Sequence, residues 1–284
     1  MAQTQRPFRS VLYIPASNPR ALEKAKKLPV DAIIFDLEDA VAADAKPAAR
    51  ADLLQTLMAG GFGNRVRLVR INGLETAWGR EDLRALEGAN IDGVLLPKVN
   101  GSADIDAVGK LCVGLPVWAM METPLGVLNA AEIAGHERVA GLVMGTNDLA
   151  KDLRSRASEN RAPLQAALQI SLLAARAAGI VCVDGVYNAF KDEDGLAAEC
   201  EQGRDMGFDG KSLIHPAQIA TANRVFGPSE AEVELARRQI AAFEAARLEG
   251  QGVAVLDGQI VENLHIETAR ATLAIMNAIA AMEA

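Results

Sequence analysis

Eight short apolar runs, each followed by a polar or turn-forming residue and then by a longer stretch with helical spacing, limit what this chain can fold into. The runs cover residues 10–15 (SVLYIP), 32–39 (AIIFDLED), 65–72 (RVRLVRIN), 93–98 (GVLLPK), 117–122 (VWAMME), 140–145 (AGLVMG), 181–187 (VCVDGVY) and 211–216 (KSLIHP). Most are apolar throughout rather than alternating, as expected of parallel strands covered on both faces. Helix candidates at 19–27, 46–58, 81–86, 162–178 and 194–206 lie between them, several closed by Gly or Pro. Repeated βα units in this number predict an α/β fold, a (β/α)8 TIM barrel over residues 1–226, with a doubly wound open sheet as the alternative. Two Ala-rich helix candidates joined by QGVAVLDGQIVE follow, a C-terminal helical extension over 227–284 that can pack on the barrel or against another subunit.

Charged residues sit at the ends of these apolar runs. The run VWAMMETPLG meets a lone carboxylate, Glu122, just where the strand should stop. Loops at the C-terminal ends of barrel strands form the active face, so a charge placed there lies at the mouth and not in the core. Seven of the eight runs place such groups: Glu38 and Asp39, Arg70, Lys98, Glu122, Asn147 with Asp148, Asp184, and His215. Closure in chain order would bring them to one mouth.

Glu122 and Asp148 are hard oxygen donors leaving adjacent strands, a donor set that suits Mg2+ better than Zn2+. Each also has a purely structural role open to it, Glu122 at the start of the next helix and Asp148 as a helix cap. Arg70 ends an otherwise apolar strand. It can clamp a carboxylate in bidentate fashion or form an internal salt bridge with Glu38 or Asp39. Of those two acids only one can point fully inward, because neighbouring strand residues face opposite sides. Lys98 can face a phosphate or thioester, or simply solvent.

Other chemistries lack their signatures. There is no GxxxxGK[ST] loop and no GxSxG turn, and the glycines of GGFGNR precede a strand where a dinucleotide loop would follow one. Net charge is −8 with scattered basic residues, which argues against nucleic acid and against a polybasic membrane patch. The cysteines Cys112, Cys182 and Cys200 are widely spaced, the three histidines show no ligand spacing, and the first residues contain no apolar signal segment, so a cytoplasmic protein with reduced thiols is expected.

The motifs RSVLYIPASNPR, DAIIFDLEDAVAADAKPAAR, VRIN, LLPK, METPLG, GTNDLA and GFDGKSLIHPAQI, in this order along nearly the whole chain, resemble the HpcH/HpaI aldolase and citrate lyase family, closest to citrate lyase β-like proteins such as malyl-CoA and citramalyl-CoA lyases. The resemblance implies a Mg2+-dependent barrel, with Mn2+ as a substitute, that cleaves or forms a carbon–carbon bond between an acyl-CoA thioester and a 2-oxo acid. Carried over by motif, Glu122 and Asp148 would be the metal ligands, Arg70 would grip the 2-oxo acid, Lys98 and Arg9 would complete the substrate-binding set, and Glu38 and Asp39 would lie beside the ion's waters. The family's catalytic base is commonly an Asp in a C-terminal GxMIDxP-like segment, often from a neighbouring subunit. Here the segment reads GQIVENL, with Glu262 at that place. Arg154 and Ser155 depart from the family pattern after GTNDLAKDL. A homo-oligomer, trimer or hexamer, is implied. A citryl lyase subunit acting on a carrier-bound thioester, a malyl-CoA thioesterase and a non-catalytic keto-acid-binding barrel are the alternatives.

Overall fold

The computed structural model describes residues 6–156, 158 and 160–283. Its eight main strands are β1 (Ser10–Pro15), β2 (Ala32–Asp36), β3 (Val66–Arg70), β4 (Gly93–Leu96), β5 (Val117–Met121), β6 (Val139–Met144), β7 (Val181–Asp184) and β8 (Gly210–Leu213). All neighbours pair in parallel, and β8 closes on β1. The fold is a (β/α)8 barrel, with every expected strand present and most cut two or three residues short at the C-terminal end. The residues trimmed there include the polar ones, Glu38, Asp39, Asn72, Lys98 and Glu122, that turn into the mouth loops.

Strand parity explains which side chains fill the barrel. Val11, Ala32, Ile34, Val66, Leu68, Leu95, Trp118, Met120, Val143 and Val183 form one buried cluster, contributed by alternate residues along each strand. Trp118 dominates it and packs against Phe8 in a tilted arrangement, ring centres 5.2 Å apart. Its bulk dictates Gly141 on the neighbouring strand, because a Cβ there would lie 2.5 Å from the indole ring. Extending the parity outward puts Asp36, Arg70 and Glu122 on the inward side at the end of β2, β3 and β5.

The opposite end is closed by a repeated device. Asp31, Asp92 and Asp209 each immediately precede a strand and accept a hydrogen bond from a backbone N–H near the start of the strand before it, from Arg9, Arg67 and Cys182 at 2.8, 2.9 and 2.7 Å. The sequence fragments VDA, IDG and FDG carry these acids. Arg9 also forks onto Asp31 through Nε and Nη2, at 3.0 and 2.9 Å.

The chain divides into two compact units, one of Phe8–Asn223 and one of Arg224 onward that also takes in Arg6 and Pro7; the expected boundary lay three residues later, after residue 226. In the second unit, helix Glu230–Leu248 starts at a capping box in which Ser229 Oγ accepts from Glu232 N–H and Glu232 Oε2 accepts from Ser229 N–H. Helix Asn263–Glu283 packs along it. The expected linker between them is an antiparallel hairpin, β9 (Ala254–Leu256) and β10 (Gln259–Val261), turning at Asp257 and Gly258 with φ of 50° and 79°. Two successive positive φ values are the mark of a type I′ turn, which Asp-Gly favours. Phe243, Ala246, Ala254, Val261 and Ile266 make this unit's own core. Among the described residues no helix is long and apolar enough to cross a membrane.

Candidate active site

A cavity of about 380 Å3 opens at the C-terminal end of the barrel, and Asp36, Asp39, Arg70, Glu122, Asn147 and Asp148 are its polar wall. Tyr13, Met120, Met144, Val186 and Ile214 supply the apolar wall. Acids that are 26 positions apart in sequence, Glu122 and Asp148, therefore face one space.

Glu122 follows β5 and is 1% exposed. Glu122 is not the cap of the next helix, Pro124–Leu128; that cap is Thr123, whose Oγ1 accepts from Gly126 N–H at 3.0 Å. Glu122 Oε1 accepts the backbone N–H of Lys98 at 2.8 Å. Burial pushes the Glu122 carboxyl up to about 7, the Lys98 N–H working against this and the Glu38 charge adding to it. Gly145, after β6, lies against this side chain, and a Cβ there would come 2.5 Å from Glu122 Oε2. Asp148 lies in the first turn of helix Thr146–Asp152, whose cap position is Gly145, so it is not the N-cap either. Asn147 and Asn188 exchange side-chain hydrogen bonds at 3.2 and 2.7 Å, tying this turn to the loop after β7.

Arg70 is held from the side. Its Nε and Nη2 donate to the two oxygens of Asp36 at 2.8 and 2.6 Å, and Nη1 meets Glu38 Oε2 at 2.9 Å, an ionic contact and not an aligned hydrogen bond. Burial works against the guanidinium charge, and Asp36 and Glu38 more than offset it. Tyr13 lies under the guanidinium, 5.0 Å from ring centre to Cζ. Glu38 Oε1 accepts from Lys98 Nζ at 2.8 Å, so a chain of alternating charge runs Asp36, Arg70, Glu38, Lys98 across the mouth. Asp39, the neighbour of Glu38, is exposed and on the cavity wall. Buried Lys46 donates to the carbonyls of Leu37 and Glu38 at 2.9 and 2.7 Å and fixes this loop from below.

Asp36 and Lys46 are the residues that sequence reasoning missed. Asp36 was legible, since it continues the inward parity of Ala32 and Ile34. Lys46 was not, because its role is to reach carbonyls eight and nine positions back.

Three expectations need correction. Arg9 is not a mouth residue: it lies just before β1, at the other end of the barrel, forked onto Asp31. Asp184 is fully buried on the outward side of β7, where it pairs with Arg161 Nη1 at 2.8 Å and Lys211 Nζ at 3.1 Å, while Lys211 also reaches Glu199 at 2.7 Å. It belongs to a buried charge cluster between sheet and helix. His215 is exposed and stacked on Phe190 at 4.5 Å, its Nδ1 accepting from Ala217 N–H. Glu262 lies in the C-terminal unit, exposed, between β10 and the last helix. Its carbonyl receives the N–H of His265 at 2.9 Å.

Among the described residues no group of three or more His, Cys, Asp and Glu side chains forms an ion cage by itself. Glu122 and Asp148 fit a different kind of site. Both are oxygen donors, neither is used as a helix cap, and Glu122 is a buried carboxylate whose charge the surrounding fold leaves undercompensated. Two carboxylates facing a roomy cavity suit an ion that keeps water or takes substrate oxygens.

The family described as HpcH/HpaI aldolase/citrate lyase matches residues 9–216. A (3S)-malyl-CoA thioesterase of Cereibacter sphaeroides is 65% identical over 284 residues, covering 100% of both chains. Citrate lyase subunit beta of Escherichia coli is 37% identical over 277 residues, covering 93% of this chain and 92% of that one. Among solved structures, the protein CitE from Mycobacterium tuberculosis in complex with magnesium, acetoacetate and coenzyme A superposes with a TM-score of 0.78 at 32% identity, covering 96% of this chain and 98% of that chain. With the barrel and these relatives agreeing, the chain belongs to the HpcH/HpaI aldolase/citrate lyase family and is citrate lyase β-like.

Proposed function

We propose that this protein is a divalent-metal-dependent enzyme that hydrolyses a malyl-CoA-type thioester to the free hydroxy acid and CoA. The observation that carries the reading is the meeting of Glu122, Asp148 and Arg70 in one cavity, in a chain 65% identical along its whole length to a (3S)-malyl-CoA thioesterase. Glu122 and Asp148 would hold Mg2+, or Mn2+ in its place. Bound there, the ion supplies Lewis-acid polarisation and orientation of the substrate's oxygens.

The chain's own residues do the rest. Arg70, held by Asp36 and Glu38, presents its remaining N–H capacity to the cavity and orients the substrate carboxylate. Tyr13, Met120, Met144, Val186 and Ile214 exclude bulk water from the acyl end. Asp39, exposed on the wall, accepts a proton from the attacking water. As the C–S bond breaks, Asp39 returns that proton to the leaving sulfur, so the products are a carboxylic acid and a thiol.

A second reading, carbon–carbon cleavage into an acyl-CoA and a 2-oxo acid, is supported by the citrate lyase relative and by the likeness to CitE, which was crystallised with magnesium, acetoacetate and coenzyme A. In that reaction Glu262 is the proton-transferring base, delivered by a neighbouring copy in a trimer or hexamer. The exposed apolar residues Val255, Ile260 and Leu264 around Glu262 support a covered position for it in the assembly.

Purified protein incubated with Mg2+ and (3S)-malyl-CoA tests both. Release of free thiol with malate supports hydrolysis, and release of glyoxylate with acetyl-CoA supports cleavage. Neither product, with or without added Mn2+, would overturn the proposal.

A further inference from the structure

We propose that Lys98 is a positioning residue for Glu122, acting through its backbone and not by contact with substrate. The inference rests on the metal-site reading above. Lys98 follows β4 with φ of 51°, a left-handed conformation that side-chain-bearing residues seldom adopt. That conformation aims its backbone N–H at Glu122 Oε1, 2.8 Å away, the hydrogen bond that fixes the rotation of this buried carboxylate. Two contacts hold the turn. Lys98 Nζ is anchored on Glu38 Oε1 at 2.8 Å, and the Lys98 carbonyl accepts from Asn100 Nδ2 at 3.0 Å. Asn100 in turn accepts from Thr123 Oγ1 at 2.7 Å, next to Glu122 in sequence. The loops after β2, β4 and β5 are thereby locked together with Lys98 at their junction.

Strained backbone at a site survives only where its surroundings over-determine it. Here the ammonium–Glu38 pair does this. A residue without the ammonium must tolerate the left-handed turn unaided, or relax and carry the N–H away from Glu122. Ion binding then has to restore the turn, which lowers apparent affinity by the fraction of molecules that hold it.

The test is Mn2+ affinity of the full chain, read from the free-ion electron paramagnetic resonance signal with no substrate present, in K98G, K98N, K98A and K98V. All four lack the ammonium, so differences among them report the backbone. Glycine adopts the turn without penalty and asparagine readily, whereas a β-branched residue resists it. K98G should bind Mn2+ within about twofold of the parent, K98N close to it, K98A about fivefold more weakly, and K98V more weakly still. Thermal unfolding in EDTA checks that each variant is folded, and the K98N to K98A comparison stands even if K98V is not. Equal affinity in all four, or K98G as weak as K98A, overturns the inference while leaving the metal site intact. A parent protein that binds no Mn2+ overturns the metal-site reading and the inference with it.

Discussion

Replacing Glu122 with Gln should make the metal-free protein more stable. Glu122 is 1% exposed, and its carboxyl is pushed up to about 7 from an ordinary value of 4.5. A raised acid binds its proton more tightly in the native state than in the unfolded chain, so stability falls as pH rises between these two values and stays lower above about 7. A rise of this size corresponds to roughly 3 kcal/mol at pH 8. Gln keeps an acceptor for the Lys98 N–H and removes the charge. For a chain of this length, about 3 kcal/mol is on the order of 5 °C in Tm. Thermal unfolding in EDTA should therefore show E122Q above the parent at pH 8 and level with it near pH 4.5, where Glu122 is already protonated. Adding Mg2+ should raise the parent's Tm by mass action and leave E122Q unmoved. If E122Q is no more stable than the parent at pH 8 without metal, the fold already compensates the Glu122 charge, and the reason for placing a cation there is gone.

R70M leaves buried Asp36 without its cation and Glu38 with Lys98 alone, so urea unfolding at pH 7.5 should register a loss of about 3–5 kcal/mol, and turnover should vanish with it. G145A puts a methyl group into the Glu122 side chain and should weaken Mn2+ binding at least tenfold in a titration, while far-UV circular dichroism stays the same. Burial opposes the Asp184 charge, but Lys211 and Arg161 hold its carboxyl below the usual range; the stability this pair of cations confers is present above the unfolded value near 4 and is lost as pH falls through the native one. Urea midpoints of the parent and D184N should thus differ widely at pH 7 and converge toward pH 3. E262Q should abolish any carbon–carbon cleavage while Mn2+ affinity is retained, and normal cleavage in that variant would reassign the base.

The barrel was legible because eight continuous apolar runs with helical spacers leave few other closures, and the mouth acids were legible because a charge at the end of such a run has one sensible place to go. Parity decided the rest. Asp184 follows an apolar run just as Glu122 does, yet one residue's difference in register turns it outward, where it needs Arg161 and Lys211 from distant segments. No local pattern in VCVDG announces that. Arg9 belongs to a motif that carries the family resemblance, and such a motif mixes residues that bind with residues that close the barrel's lower end. The Asp257–Gly258 hairpin was readable from its turn pair alone, but the short apolar stretches beside it looked like a linker between two Ala-rich helices. Lys98 illustrates the remaining gap: what its backbone does depends on a φ angle that its side chain disfavours.

The central claim is that Glu122 and Asp148 hold one divalent ion at the barrel mouth. An anomalous difference map from a crystal grown with Mn2+ tests it most directly. A single strong peak at coordination distance from both carboxylates is the predicted result, and a peak that touches neither acid, or none at all, would contradict it.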